Sequence, residues 1–211
     1  MSAAASESLS QVVSALRTLS SADEITAQRS AWQKILELQK LAEADKVLAD
    51  ELLNELFRLG TPVRDLDGPT DGILVTTTTN VATDAAVKML VNSWMPWQGK
   101  RFDAAGSTGN NRMTDSSAVV SKLIWPFYSM TESGQGKSAF DFKTYVEAGK
   151  DDPDREVLVI DYADVESNPA LIIRSIRDEL VEIVPGTYLG KILFRLPTGS
   201  YSKIGFFALR T

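Results

Sequence analysis

The sequence predicts an α+β fold that is mainly antiparallel β: a barrel or strongly curved sheet preceded by an N-terminal helical segment. Two observations carry this. Residues 61–211 hold about seven β-branched or aromatic runs separated by turn signals, with few helices between them. Residues 1–60 hold amphipathic stretches opened by capping signals and closed by Gly60 and Pro62. The expected division is therefore 1–60, a helical extension or cap, and 61–211, the antiparallel barrel domain.

The helical part comes first. Residues 1–7 are Ala/Ser-rich and read as frayed. Ser8 and Gln11 have capping-box spacing ahead of Val12, Val13, Leu16 and Leu19. Ser21 and Glu24 repeat that spacing ahead of Ile25, Trp32, Ile35, Leu36, Leu38, Leu41 and Ala42. A third helix over 45–59 places Leu48, Leu52, Leu56 and Leu59 on one stripe. These stripes need a cover, either the C-terminal domain or a second copy of the chain.

The Gly- and Pro-rich run 60–72 reads as a linker. Residues 73–79 read as a strand and 83–94 as a helix. Residues 97–102 (WQGKRF) follow, and the Gly/Asn/Ser-rich run 104–111 reads as a mobile loop. Residues 117–131 read as a strand pair or a bent strand broken by Pro126. Strands are expected over 140–146 and 156–162, joined by a polar turn. Asn168-Pro169 signals a short helix through Ile172, Ile173 and Ile176. From Arg177 to Val184 both periods fit, and Pro185-Gly186 favours a strand. Strands over 187–195 and 201–210 complete a meander, the last apolar on both faces and so covered on both.

Composition excludes much. There is no Cys and no His among 211 residues. That removes thiol and Ser-His-Asp catalysis, the usual zinc sites and His-ligated haem. A net charge of −6 argues against nucleic acid, and Lys100-Arg101 is too small a basic patch to reverse it. No apolar run approaches the roughly 18 to 20 residues of a membrane span. No signal peptide is evident, so a cytoplasmic, bacterial-type protein without cofactor or metal is expected.

Several motifs have a plain reading beside the functional one. Residues 134–138 (GQGKS) resemble the end of a phosphate-binding loop, but Thr131 stands where its first Gly belongs, so a hairpin is expected. Residues 65–68 and 151–154 lack calcium-loop spacing and read as solvated turns. Trp94, Trp97 and Trp125 either fill the core or line a cavity. Arg177-Asp178-Glu179 sets charges inside an apolar run, so at least one turns inward on a strand. An inward charge must be paired or contact a polar ligand.

At Trp97-Gln-Gly-Lys-Arg-Phe102, after a helical stretch, the chain resembles the uncharacterised bacterial GXWXG/DUF4334-type proteins. Residues 177–178, 188–190 and the closing 206–210 are similar in kind. The G-x-W-x-G of the first strand is absent, since Gly72-Ile73-Leu74 holds no Trp. The resemblance implies a calycin-like barrel, the broad shape of lipocalins and fatty-acid-binding proteins, and no established reaction.

Three functions are expected from these readings. The first is binding of a small hydrophobic or amphipathic molecule in a barrel cavity lined by Trp97, Lys100, Trp125, Tyr128, Tyr162 and Tyr188, with Arg177 as the anchor for an anion. The second is a cofactor-free cyclase or isomerase in the same barrel, with Asp178 or Glu179 as acid or base and a Tyr partner. The third is a non-enzymatic interaction protein docking, or forming a homodimer, through its N-terminal helices.

Overall fold

A computed structural model describes residues 8–77, 97–114, 128–133, 136–170 and 172–211. The chain opens with α1 (Leu9–Ser20), α2 (Glu24–Ala44) and α3 (Lys46–Leu59). Ser8 and Gln11 form the expected capping box. In α2 the cap is Asp23 rather than Ser21: its carboxylate accepts from the Thr26 amide at 3.0 Å. Asp45 ends α2 and caps α3, so a single residue turns the chain between them. The buried stripe of α3 is Ala49, Leu53, Leu56 and Phe57. Leu48, expected in that stripe, sits in the first turn and is exposed, while Leu52 and Leu59 pack at its margins.

The strands are β1 (Thr61–Pro62), β2 (Gly68–Pro69), β3 (Asp71–Thr77), β4 (Trp97–Asp103), β5 (Thr108–Met113), β6 (Thr131–Ser133), β7 (Gly136–Ala148), β8 (Glu156–Asp161), β9 (Ile176–Val184), β10 (Thr187–Arg195) and β11 (Tyr201–Arg210). All pairings among the described residues are antiparallel, in the order β2-β4-β5-β7-β8-β9-β10-β11-β3. Strands thus follow chain order around the sheet, with β3 brought round to β11. The two edges, β2 and β3, are separated by Thr70 alone. One residue therefore carries the chain across the seam and nearly closes the barrel. The Thr70 amide donates to the Lys100 carbonyl at 2.8 Å, and its hydroxyl donates to the same oxygen at 3.0 Å.

Period-2 alternation divides the sheet between two cores. Ile176 and Leu180 of β9, Leu158 and Ile160 of β8, and Ile192 of β10 face the barrel interior with Phe102, Phe142, Tyr162 and Phe207. Val181, Ile183, Val157, Val159, Leu189 and Phe206 face outward, against Leu9, Val13, Ile35, Leu53, Leu56 and Phe57 of the helices. The helical stripes are thus covered by this chain's own sheet, each large side chain so buried contributing about 1.5–3 kcal/mol. On β11 the register slips at Ile204, placing it with Phe207 and Leu209 on the inner face. No helix among the described residues is long and apolar enough to cross a membrane.

Three expectations change. The run 60–72 is no slack linker: it carries β1 and β2, and Val63, Leu66 and Thr70 are buried. The run 104–111 is no loop beyond its turn, because β5 starts at Thr108. Gly109 serves close approach there, since a Cβ would lie 2.4 Å from the Phe142 ring. No helix starts at Asn168, whose side chain donates instead to the carbonyls of Asp141 (2.7 Å) and Tyr162 (3.2 Å). Ile172 has a φ of 72°, and only a 3-10 turn, Ile173–Ser175, precedes β9. Of residues 117–131, only the last four are described, and Thr131 begins β6. The expected helix over 83–94 lies outside the described residues. Of residues 134–138, expected as a hairpin, Gly136–Ser138 are described, and β7 pairs there antiparallel with β6, Ser133 opposite Gly136.

The seam yields a first prediction. Gly99 adopts a φ of +141°, and a Cβ there would lie 2.0 Å from the Thr70 carbonyl oxygen. Gly99→Ala is expected to cost about 3 kcal/mol, through backbone strain and forced opening of the seam. Urea unfolding should show a lower midpoint.

Candidate functional site

The barrel interior holds a polar group where periodicity alone would place apolar side chains. Lys100 comes from β4, Asn111 from β5, Tyr162 from the position just after β8 and Asp178 from β9. All four are at most 1% exposed. The β4 register slips between Trp97 and Gly99. That bulge keeps Trp97 on the inner face together with Lys100 and Phe102.

Lys100 Nζ donates to Asp178 Oδ2 (2.9 Å), Asn111 Oδ1 (3.0 Å) and Tyr162 OH (2.5 Å). The Tyr162 hydroxyl donates to the same Asp178 oxygen at 3.1 Å. Asn111 turns its amide nitrogen to the Phe140 carbonyl (3.1 Å), and its oxygen also accepts from Trp97 Nε1 (3.1 Å). Rings surround the amine: the centroids of Phe207, Phe142, Tyr162 and Trp97 lie 5.2–5.7 Å from Nζ. Asp178 Oδ1 is buried with no hydrogen-bond partner among the described residues.

Burial dominates the electrostatics. It pushes the Lys100 amine below its ordinary range, opposed by the attraction of Asp178. It pushes the Asp178 carboxyl up, opposed by Lys100. Tyr162 is raised well above its usual value by burial and then by the neighbouring carboxylate. Both members of the ion pair are thus driven toward their neutral forms. The arrangement can hold a ligand oxygen and pass a proton among an amine, a phenol and a carboxyl group.

Four expected site residues, Trp97, Lys100, Tyr162 and Asp178, converge here. Tyr128 stands apart from their hydrogen bonds: its ring stacks on Phe140 at 5.0 Å and its hydroxyl accepts from the Phe140 amide. Tyr188 lies on the inner face of β10, where burial and Glu182 raise its hydroxyl to about 12. Trp125 lies outside the described residues. Arg177 and Glu179 do not share the interior, because alternation on β9 turns both outward when Asp178 turns in.

Outside, the charges pair with one another. Arg177 bonds Glu179 Oε1 at 2.9 Å and Glu147 Oε1 at 2.6 Å. Buried Lys191 bonds Asp151 (2.7 Å) and Asp152 (2.5 Å), and Arg58 of α3 reaches Asp152 and Asp154. The 151–154 run is a turn with residues 151, 153 and 154 exposed, as expected, and its ion pairs, centred on buried Asp152, also tie helix to sheet. No group of three or more carboxylates able to hold a metal ion occurs among the described residues.

Asn111 is the member that sequence reading misses. Gly109-Asn-Asn-Arg-Met113 shows no alternation, and its Gly and Asn residues mimic a loop. No local signal marks it, because its role depends on strands β4, β8 and β9.

No family model matches the chain, and no curated protein matches it either. A crystal structure of a protein from Thermomonospora curvata is similar, with 17% identity and a TM-score of 0.43 over 82% of this chain and 96% of that one. That likeness is too loose to bear on the site.

Two outcomes are expected. Lys100→Met or Asp178→Leu alone should each cost about 3–5 kcal/mol, because the surviving charge is stranded, while the double substitution should be within about 2 kcal/mol of the parent. A double-mutant cycle by chemical denaturation measures this. Arg177→Met should cost about 3 kcal/mol by stranding Glu179 in the outer cluster, and should leave the interior network intact. Unfolding curves beside the tyrosine spectrum in the near ultraviolet separate those two effects.

Proposed function

We propose that the protein binds a small hydrophobic or amphipathic molecule inside the barrel, with the polar end held by Lys100, Asn111, Tyr162 and Asp178. The observation that carries this reading is the unpartnered Asp178 Oδ1. A buried carboxylate oxygen without a partner costs about 1–3 kcal/mol or more. A ligand hydroxyl or amide placed there would remove that cost. The flanking rings of Trp97, Phe142 and Phe207 provide the apolar wall that such sites need. The calycin-like kinship expected from the WQGKRF segment belongs to this proposal, supported by a sheet whose strands follow chain order.

A cofactor-free isomerase or cyclase is the second reading. The 3.1 Å contact between Tyr162 and Asp178 favours it, since a carboxyl raised by burial and a phenol form an acid–base couple. In this reading Asp178 acts and Glu179 does not, because Glu179 faces the outer cluster.

Native mass spectrometry and thermal shift with fatty acids, terpenoids and polyketides test the binding. A ligand at one hundred times its dissociation constant should add about 2.7 kcal/mol of stability. Asp178→Asn should reduce the affinity at least about tenfold, the equivalent of one lost hydrogen bond to a charged group. Arg177→Met should bind as the parent does. Equal affinity for Asp178→Asn and the parent would place the ligand elsewhere.

A further inference from the structure

We propose that the outer wall of the barrel carries a second binding site, a cleft over β4, β5 and β7 that takes a short neutral saccharide. It is separate from the interior and does not depend on a ligand there.

The cleft follows from strand alternation. The helices cover β3 and β8–β11 from outside, and no side chain of β4, β5 or β7 joins that apolar layer. Lys100, Phe102, Asn111 and Phe142 are turned inward. Alternation therefore turns Arg101 and Asp103, Thr108 and Asn110, and Asp141 and Lys143 outward. These residues line a cleft of about 520 Å³, joined by Asp164 from the connection after β8. That volume lies within the roughly 300–1,000 Å³ of ordinary ligand sites.

A solvated sheet face gains by pairing opposite charges across its strands. β7 does so at Lys137, which meets its cross-strand neighbour Glu132 at 2.7 Å. The cleft does not. Arg101 stands opposite Asn110, and Thr108 stands between Asp103 and Lys143. Among the described residues, Arg101, Asp103, Asp141, Lys143 and Asp164 form no ion pair. Partial burial pushes the Asp141 carboxyl up, with no cation beside it to offset the effect. The register slip between Gly109 and Asn111 leaves Asn110 without a partner on β7. Its Oδ1 is buried and has no hydrogen-bond partner among the described residues. Charges of both signs, an amide and a hydroxyl thus share one cleft without satisfying one another.

Charge decides the class of ligand. An anion would face the carboxylates of Asp103, Asp141 and Asp164, and a cation would face Arg101 and Lys143. A neutral molecule with several hydroxyls meets neither penalty. Each hydroxyl can donate to a carboxylate or to the Asn110 amide oxygen, and accept from the guanidinium or the ammonium group. The rings of Phe102 and Phe142 are buried in the barrel, so neither offers a face for stacking. Affinity then rests on hydrogen bonds, with a dissociation constant of about 1 mM.

The test titrates maltotriose, cellotriose, xylotriose and chitotriose into the full chain, read by saturation-transfer NMR and isothermal titration. At least one is expected to bind at that level. Arg101→Gln combined with Asp141→Asn should weaken it at least about tenfold and leave the melting temperature unchanged, because neither side chain is ion-paired. Saturating decanol should not displace the sugar. Failure of every sugar to bind overturns the proposal, as does equal affinity in the double variant. Displacement by decanol would put the sugar in the interior and overturn it too. Binding of spermidine or citrate in place of every sugar would refute the neutral class.

Discussion

The buried ion pair between Lys100 and Asp178 is the constraint around which the barrel is arranged. Taking the two charges out of water costs several kcal/mol for each ion, and their mutual attraction offsets this only with good geometry and further hydrogen bonds. Asn111 and Tyr162 supply those bonds. The pair also joins strands distant in the sheet, since β5, β7 and β8 lie between β4 and β9. Lys100 serves a second structural purpose through its backbone. Its carbonyl accepts both bonds from Thr70, so the residue that spans the interior also holds the seam.

The outer face follows a different logic. The helices cover the apolar part of β8–β11, but β9 and β10 also present Arg177, Glu179 and Lys191 on that side. Apolar side chains could not cover these without stranding them. The connection between β7 and β8 supplies acids instead, and α3 supplies Arg58. Helices and barrel are thus joined by an apolar layer and a charged one. Glu179 Oε1 also accepts from the Lys150 backbone amide at 2.7 Å.

Much of the fold is legible from local chemistry. The capping box at Ser8, the stop at Gly60, the turns at Pro185-Gly186 and Pro197-Gly199, and the strands 187–195 and 201–210 all follow from short-range preferences. The errors share one cause. Gly109 resembles a loop residue because local composition does not record that a neighbouring Phe142 ring excludes any larger side chain, and Asn111 because it does not record the Lys100 amine on another strand. Asn168 resembles a helix cap, yet its side chain is claimed by carbonyls of β7 and of Tyr162, which no local rule anticipates.

The candidate site divides in the same way. The sequence by itself determined that Arg177, Asp178 and Glu179 would be split between two faces, because adjacent side chains on a strand point to opposite sides. It determined also that an inward charge would need a partner. Which face is inward was decided only by the tertiary structure, through the pairing of β9 with β8 and β10 and the helices packed outside. The partner was decided there too. Lys100 lies 78 positions from Asp178 in the chain, and only closure of the barrel brings an amine from β4 within 2.9 Å of a carboxylate on β9.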